Sequence, residues 1–394
     1  MAILIFDRFS IKNRPLNKWF LDCKEPMYVF TVSNHVEEYK NAGFLNVVGF
    51  ENYDNDAYIE LSVLELSEKV KIEKIFVCDE RDIIRAANFR QYLNIDGQSY
   101  ESALAYRNKV MMKTILACNG IKVPPFKKIT NAKDILDFIE LHAYPILIKP
   151  VDLYASINIE KINCYDDLKS FCNRIGLKNM MVERFVDAKM VSCNGLVINN
   201  KIEFISTTIY FEPRLQYQDY MITITIPSND SFTDLVEAYC RDVIQTLPHL
   251  ETSVFHSEIF VENSECSLCE IASRPAGGGI SDSIRHSYGI DFYEELAKAT
   301  YNADYKLPKY HFKQLSGCLT IPKKKGTVQQ MIDRLPYSWV VEYYSQVKKG
   351  DIIDNSQENG DRLALVIIVG EDMEQLLLRF DIIKKFFEEN MLID

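Results

Sequence analysis

The sequence predicts a mixed fold, part α/β and part α+β, with an open parallel α/β domain at the N-terminus and a small α+β module at the C-terminus. Residues 1 to 100 alternate short apolar strand patterns with helical patterns, as expected for βαβ units of a parallel sheet. From about residue 310 the pattern changes to closely spaced strands followed by one amphipathic helix. With 394 residues and 47% apolar content, the chain is long enough for two to three domains with full cores.

Four apolar runs predict the strands of the N-terminal sheet. They read AILIFD, MYVFTV, LNVVGF and KIFVCD, and the helical segment ELSVLELSEKV precedes the last of them. Functional loops of open parallel sheets follow the carboxyl ends of the strands. Asp79 ends the last run and Glu80 follows it. Acidic residues at this position favour the start of the next helix, and contact with a substrate amine is the alternative.

Two lysines occupy distinctive positions in the next segment. SYESALAYRNKVMMKTILACNG predicts one helix that ends at Gly120, with Lys109 in its first half as a solvated surface lysine. YPILIKPVD predicts a buried strand whose last residue is Lys149. A lysine at the inward end of an apolar strand needs an anion, and phosphate oxygens are one candidate.

Two hairpins follow. GLVINNKIEFIST predicts the first, with its turn at Asn199 and Asn200. The second lies within HSEIFVENSECSLCEIASRPAGGGISD; if its turn is centred on Ser264, Glu258 and Glu270 face each other. Two opposed carboxylates are destabilising unless something offsets them, and a hard divalent cation such as Mg²⁺ would do so. The alternative is a surface hairpin with scattered charges.

An anion site is predicted directly after this hairpin. Arg274 shares a strand face with Glu270 and is able to pair an anion bidentately. Gly277, Gly278 and Gly279 follow, where backbone can approach a ligand closely because no Cβ intervenes. The chain has only 15 glycines, about half the usual frequency, so three in succession indicate a specific requirement.

Composition narrows the class of partner. The net charge of −11 argues against nucleic acid or an anionic membrane, both of which need a basic surface. MAILIFDRFSIKNRP lacks the features of a signal peptide, and no apolar stretch reaches the length of a membrane span, so we expect a cytoplasmic protein. The ten cysteines are dispersed, and zinc or redox use of Cys266 and Cys269 is not favoured. A homodimer is compatible with the sequence.

Five segments in order, RNKVMMK, YPILIKPVD, VERFV, HSEIF and CEIASRPAGGG, resemble the successive signature segments of the ATP-grasp superfamily. The resemblance covers about residues 100 to 300, and the RPAGGGI ending is similar to that of carboxylate–amine ligases of the amino-acid-ligase type. It implies a pre-ATP-grasp domain over 1–105, ATP-grasp subdomains over 106–187 and 188–308, and a C-terminal module over 309–394.

The resemblance also implies roles for individual residues. ATP would be bound by Lys109, Lys149, Ser156, Glu183, Arg184, Phe185, Val186 and Asp187, of which 183–186 form the adenine hinge. Mg²⁺, with Mn²⁺ as the alternative ion, would be held by Glu258 and Glu270. The expected catalytic residues are Lys149 and Arg274, and the expected substrate contacts are Arg274, Gly277, Gly278 and Gly279. Arg285 is a further expected substrate contact, from its position early in the following helix and not from the resemblance.

The implied activity is ATP-dependent activation of a carboxylate, expected to be an amino acid's, as an acyl-phosphate, followed by transfer to an amine. One alternative is transfer to the thiol of an acyl carrier protein, as in antibiotic biosynthesis, with Lys323 to Lys325 as a docking patch. A second alternative is a nucleotide-binding protein without turnover. It is motivated by the segment 153–158, which has no glycine where the family commonly has a Gly-rich phosphate loop.

Overall fold

The N-terminal layer is the predicted parallel sheet. A computed structural model describes residues 2–153, 156–211, 218–356 and 360–394. The strands of this layer are β1 (Ala2–Phe6), β2 (Met27–Val32), β3 (Asn46–Phe50) and β4 (Ile72–Val77), and its helices are α1 (Leu16–Trp19), α2 (Val36–Asn41), α3 (Asp56–Lys69) and α4 (Ile83–Leu93). The strand order is β3-β2-β1-β4 with every pairing parallel. Strand β1 is buried along its whole length, as expected for a strand covered on both faces.

A second, smaller layer follows. It contains α5 (Tyr100–Ala105), α6 (Lys109–Cys118), β5 (Phe126–Lys128), α7 (Ala132–His142), β6 (Ile146–Pro150), β7 (Glu160–Ile162), α8 (Tyr165–Arg174) and β8 (Met180–Arg184). Its strands form an antiparallel sheet in the order β5-β8-β6-β7. The single helix predicted up to Gly120 was wrong, because Asn108 accepts hydrogen bonds from the amides of Val110 and Met111 and caps a new helix. Lys109 is therefore the first residue of α6.

The third layer is a long antiparallel sheet. Its first part contains β9 (Lys189–Ile198), β10 (Lys201–Tyr210), β11 (Met221–Ile226), α9 (Ser231–Thr246), β12 (Ser253–Glu262), β13 (Glu265–Ala272), α10 (Ile280–Tyr288) and α11 (Phe292–Tyr301). The predicted turn between β9 and β10 is confirmed, with φ angles of 50° at Asn199 and 64° at Asn200. These left-handed angles suit asparagine in a two-residue hairpin.

The C-terminal segment extends this sheet. It contains β14 (Leu315–Pro322), β15 (Gly326–Gln330), β16 (Val340–Ser345), β17 (Ile352–Ile353), β18 (Arg362–Gly370), α12 (Met373–Asn390) and β19 (Leu392–Ile393). The order of the large sheet is β13-β12-β9-β10-β11-β14-β18-β16, so the segment after residue 309 shares its main sheet with the preceding one. Helix α12 covers β14 and β18 with buried Phe380 and Ile383. Within the described ranges, no helix is both long and apolar enough to span a bilayer.

Candidate active site

The hairpin of β12 and β13 brings Glu258 directly opposite Glu270, as the sequence predicted. The predicted cause was wrong. The turn consists of Asn263 and Ser264 alone, with φ angles of 50° and 63°, and a regular ladder from this turn would pair Glu258 with Cys269. A β-bulge leaves Cys269 without a cross-strand partner, and the register shifts by one residue. The bulge therefore aligns the two carboxylates.

Two cavities meet at this pair of glutamates. The first cavity, of about 320 Å³, lies between the small sheet and the large sheet, and the second, of about 310 Å³, reaches toward the N-terminal layer. Ser156, Glu258 and Glu270 line both. Of the other predicted residues, the first cavity is lined by Lys109, Lys149, Phe185, Val186 and Asp187, and the second by Arg274, Gly277 and Gly278. Tyr154 and Ala155 of the glycine-free loop lie outside the described residues.

The lysines are buried and paired, which differs from the solvated surface position expected for Lys109 on sequence alone. Lys109 Nζ lies 3.0 Å from Glu270 Oε2 and donates a hydrogen bond to the carbonyl of Leu153 at 2.6 Å. Lys149 Nζ lies 2.5 Å from Glu183 Oε2. Because buried lysines are retained only with such counter-charges, both are fixed in orientation at the wall of the first cavity.

Glu183 forms the centre of a buried triad. Lys113 Nζ lies 2.5 Å from its Oε1, on the side opposite Lys149, and all three side chains are at most 3% exposed. Burial works to raise the pKa of Glu183, but the two ammonium groups outweigh it and hold this pKa below its usual range. The triad carries a net charge of +1, which favours an anion in the adjoining cavity.

The triad places Glu183, the first residue of the predicted adenine hinge, in an ion-pair network and not on the cavity wall. Glu183 and Arg184 are absent from the described residues that line the first cavity, whereas Phe185 to Asp187 are present. The amide of Arg184 already donates to the carbonyl of Pro125, and that of Phe185 to the carbonyl of Pro145. The Glu183 side chain therefore supports Lys149 from behind the cavity wall.

Arg274 is tied to the N-terminal layer. Its Nε donates to Glu80 Oε2 at 2.6 Å and its Nη1 to the carbonyl of Pro275 at 2.9 Å, while Arg107 pairs with the other oxygen of Glu80. Burial works to raise the pKa of Glu80, but the nearby cations, Arg274 first, lower it to about 2. Glu80 thus acts as a structural counter-ion at the edge of the second cavity.

Gly277, Gly278 and Gly279 have different surroundings, so they have different structural roles. Gly277 and Gly278 line the second cavity, and a Cβ on either would meet nothing within 4 Å. Gly279 has a φ of +80°, and a Cβ there would lie 2.5 Å from Cys318 Sγ and 2.9 Å from Ile367 Cδ1. Gly279 is therefore required for packing against β14 and β18, and its predicted ligand contact is not seen among the cavity-lining residues.

Arg285 is also outside both cavities. Its Nη2 lies 3.0 Å from Asp282 Oδ1 and pairs with Glu342 on β16. His286 joins the same cluster through a 2.6 Å contact between its Nε2 and Glu342 Oε1. These pairings hold α10 against the far edge of the large sheet and occupy the Arg285 guanidinium with carboxylates.

The two opposed glutamates fit a nucleotide-bound Mg²⁺. Their donor atoms are hard carboxylate oxygens, and Glu258 Oε1 is oriented by the Tyr210 hydroxyl at 3.2 Å. Over the part of the chain that is described, no cluster of three or more His, Cys, Asp or Glu residues is able to hold a metal by itself. Two carboxylates completed by phosphate oxygens suit an ion that arrives with its nucleotide.

Sequence reasoning missed four charged residues at this site: Lys113, Glu80 as an ion-pair partner, Arg107 and Arg362. Lys113 carried a signal, because it lies four residues after Lys109 on the same helix face. Glu80 and Arg274 are 194 residues apart, and no local pattern links them. Arg362 stands at the first position of a buried apolar strand, which is an unusual place for a charge.

In its layers and its site the chain is similar to ADP-forming ATP-grasp enzymes of the carboxylate–amine ligase type. No family model matches the sequence. The chain is 25% identical over 339 residues to the L-arginine-specific L-amino acid ligase of Bacillus subtilis, with 82% of each protein covered. Its fold is similar to that of an L-amino acid ligase from Bacillus licheniformis (TM-score 0.78, 14% identity, 100% of this chain and 98% of that chain). It is also similar to N5-carboxyaminoimidazole synthetase from Staphylococcus aureus complexed with ADP (TM-score 0.73, 17% identity, 98% and 96% covered).

Proposed function

We propose that this enzyme joins the carboxylate of one amino acid to the amine of a second small molecule, with ATP bound in the first cavity and the amino-acid substrates in the second. The observation that carries this assignment is the Glu258 and Glu270 pair at the junction of the two cavities. A reaction between a nucleotide and a carboxylate needs its charged groups at such a junction. Relatives named as amino acid ligases support the substrate class.

In the first step, an oxygen of the donor carboxylate attacks the γ-phosphorus of ATP. The new P–O bond gives an acyl-phosphate, and the bond to the β-phosphate oxygen breaks to release ADP. Lys109 and Lys149 balance the phosphate charge from the wall of the first cavity. Phosphoryl transfer asks the protein chiefly for position and counter-charge, and these buried, paired lysines are fixed before substrate arrives. Mg²⁺ held by Glu258 and Glu270 would add Lewis-acid counter-charge at the phosphate oxygens.

In the second step, the nitrogen of the amine attacks the acyl carbon, the C–O bond to phosphate breaks, and the proton lost by the amine passes to the departing phosphate. Arg274 uses two of its five N–H groups on Glu80 and the Pro275 carbonyl, so others are left to contact the acyl-phosphate oxygens. Gly277 and Gly278 leave the adjacent backbone open to the acceptor. No covalent enzyme nucleophile is required.

The amine is the preferred acceptor because the amino acid ligases named above give no support to a carrier-protein thiol. The net charge of −11 also opposes docking of an acidic carrier. A protein without turnover is the less favoured alternative, because the relatives named above are ligases.

The test is ADP and phosphate release across pairs of amino acids, with the products identified by mass spectrometry. We expect release that depends on the amino acids, stops with a chelator, and returns with Mg²⁺ or Mn²⁺. Glu270→Gln should lower turnover about 100-fold or more, because it removes a fixed charge at the transferring phosphate. Glu262→Gln, at the exposed end of the same hairpin, is the matched control and should retain wild-type turnover.

Two results would count against the proposal. Full activity in the Glu270→Gln variant would remove the site from the reaction. Release of ADP only after a carrier protein is added would assign the thiol as the acceptor.

A further inference from the structure

Arg362 is a cation of the second cavity, and none of the residues that the structure describes forms an ion pair with its guanidinium. It is the first residue of β18, and it lines the cavity together with Thr320 and Gly278. Its Nε is buried and has no hydrogen-bond partner, and among the described residues no carboxylate lies within ion-pair distance of it. Burial lowers the pKa of Arg362, and the more distant Asp282 offsets this effect only in part.

The other arginines of the second cavity are balanced. Arg274 is paired with Glu80, and Arg14 lies 3.4 Å from Asp7. A desolvated guanidinium without an anion is costly, and its planar set of donors matches a carboxylate bidentately. Arg362 is thus the position at which this cavity is ready to accept a negatively charged group.

The chemistry of the reaction limits which group that is. The donor carboxylate must reach the γ-phosphate at Glu258 and Glu270, and it is consumed there. Arg362 is not among the described residues that line the first cavity, so a phosphate of ATP is not its natural partner. A carboxylate that persists through both steps belongs to the acceptor, provided that the acceptor is itself an amino acid.

We propose that Arg362 binds the α-carboxylate of the second amino acid, so that the acceptor is an amino acid and not a simple amine or a thiol. This inference rests on the function proposed above and deepens it. Gly277 and Gly278, which lack side chains and lie on the same cavity wall, leave room for the acceptor between Arg362 and the acyl carbon. Arg362 acts here as a specificity-determining residue that contacts substrate.

The test compares each productive acceptor amino acid with its amide, which keeps the amine and lacks the carboxylate. For the wild-type enzyme we expect the KM of the amide to exceed that of the acid by about 10- to 100-fold, the effect of losing a charge-assisted hydrogen-bonded pair. Arg362→Met should raise the KM of the acid by a similar factor and leave the KM of the amide within about twofold. The KM values of ATP and of the donor should not change.

Two further variants complete the experiment. Arg362→Lys keeps the charge without the bidentate geometry, and we expect an intermediate KM for the acid. Arg334→Met changes an exposed arginine outside both cavities and should behave as wild type. If Arg362→Met fails to fold, Arg362→Lys carries the test of this residue, and a KM of the acid equal to that of wild type would overturn its role.

Failure of this inference and failure of the proposed function give different results. A wild-type enzyme that forms no ADP with any pair of amino acids overturns the function itself. An active wild-type enzyme that uses acid and amide equally, or an Arg362→Met variant that loses affinity for ATP instead of the acceptor, overturns only the role of Arg362.

Discussion

The ion pair between Glu80 and Arg274 should make the stability of this enzyme depend on pH in the acid range. Glu80 follows β4 of the N-terminal layer, and Arg274 follows β13 of the large sheet, so the pair joins two layers at the edge of the second cavity. We expect Glu80→Gln, which keeps the shape of the side chain and removes its charge, to destabilise the protein at neutral pH.

The magnitude follows from the pKa of Glu80. It falls from 4.5 to about 2 in the folded protein, and its side chain is only 11% exposed, so solvent screening is small. A lowering of this size corresponds to about 3 kcal/mol of stability. Because the folded-state pKa lies below the unfolded one, this contribution is complete above about pH 4.5 and is lost as the pH falls toward 2.

The assay is urea unfolding at several pH values, followed by the fluorescence of Trp19 and Trp339. Glu80→Gln should lose about 3 kcal/mol at pH 7, and its deficit relative to wild type should shrink below pH 4.5. Glu37→Gln serves as the control, since that carboxylate forms an exposed pair with Lys40 and should change stability by less than about 0.5 kcal/mol. A deficit below about 1 kcal/mol at pH 7, or one that persists unchanged at low pH, would refute the reasoning.

Two further predictions concern buried groups around the site. Glu183→Gln leaves the ammonium groups of Lys113 and Lys149 without their shared counter-charge, so it should lower the free energy of unfolding in urea by about 3–5 kcal/mol. Adding Lys113→Met should recover about 1 kcal/mol of this loss. An unchanged urea midpoint in the single variant would contradict the role of the triad. Gly279→Ala should destabilise the folded protein by about 2 kcal/mol or more, because the new Cβ would meet Cys318 and the backbone φ is left-handed. Gly277→Ala should cost less than about 1 kcal/mol, because a Cβ there meets no other atom within 4 Å. Equal effects of the two variants on the thermal midpoint would show that packing at Gly279 is not responsible.

Local pattern was enough to predict the N-terminal strands and the hairpin turn at Asn199 and Asn200. It also predicted that Glu258 faces Glu270, but it attributed this pairing to the turn and not to the β-bulge that produces it. The alternation of side chains fixes which residues share a strand face, but a single-residue bulge at Cys269 decides which one lies opposite. Such a bulge shifts the phase of the alternation, here from the buried Cys266 and Leu268 to the buried Ile271, and in a strand of eight residues this shift is too short to fix the register without the partner strand.

What the sequence by itself determined is the order of segments that resemble the ATP-grasp family, and with it the fold and the class of reaction. Only the tertiary structure decided the charge partners: Glu183 between Lys113 and Lys149, Glu80 beside Arg274, and Arg362 in the second cavity, where no described carboxylate lies within ion-pair distance. The physical reason is that secondary structure follows from neighbours in the chain. The electrostatic environment of a side chain is set instead by residues that folding brings from another layer.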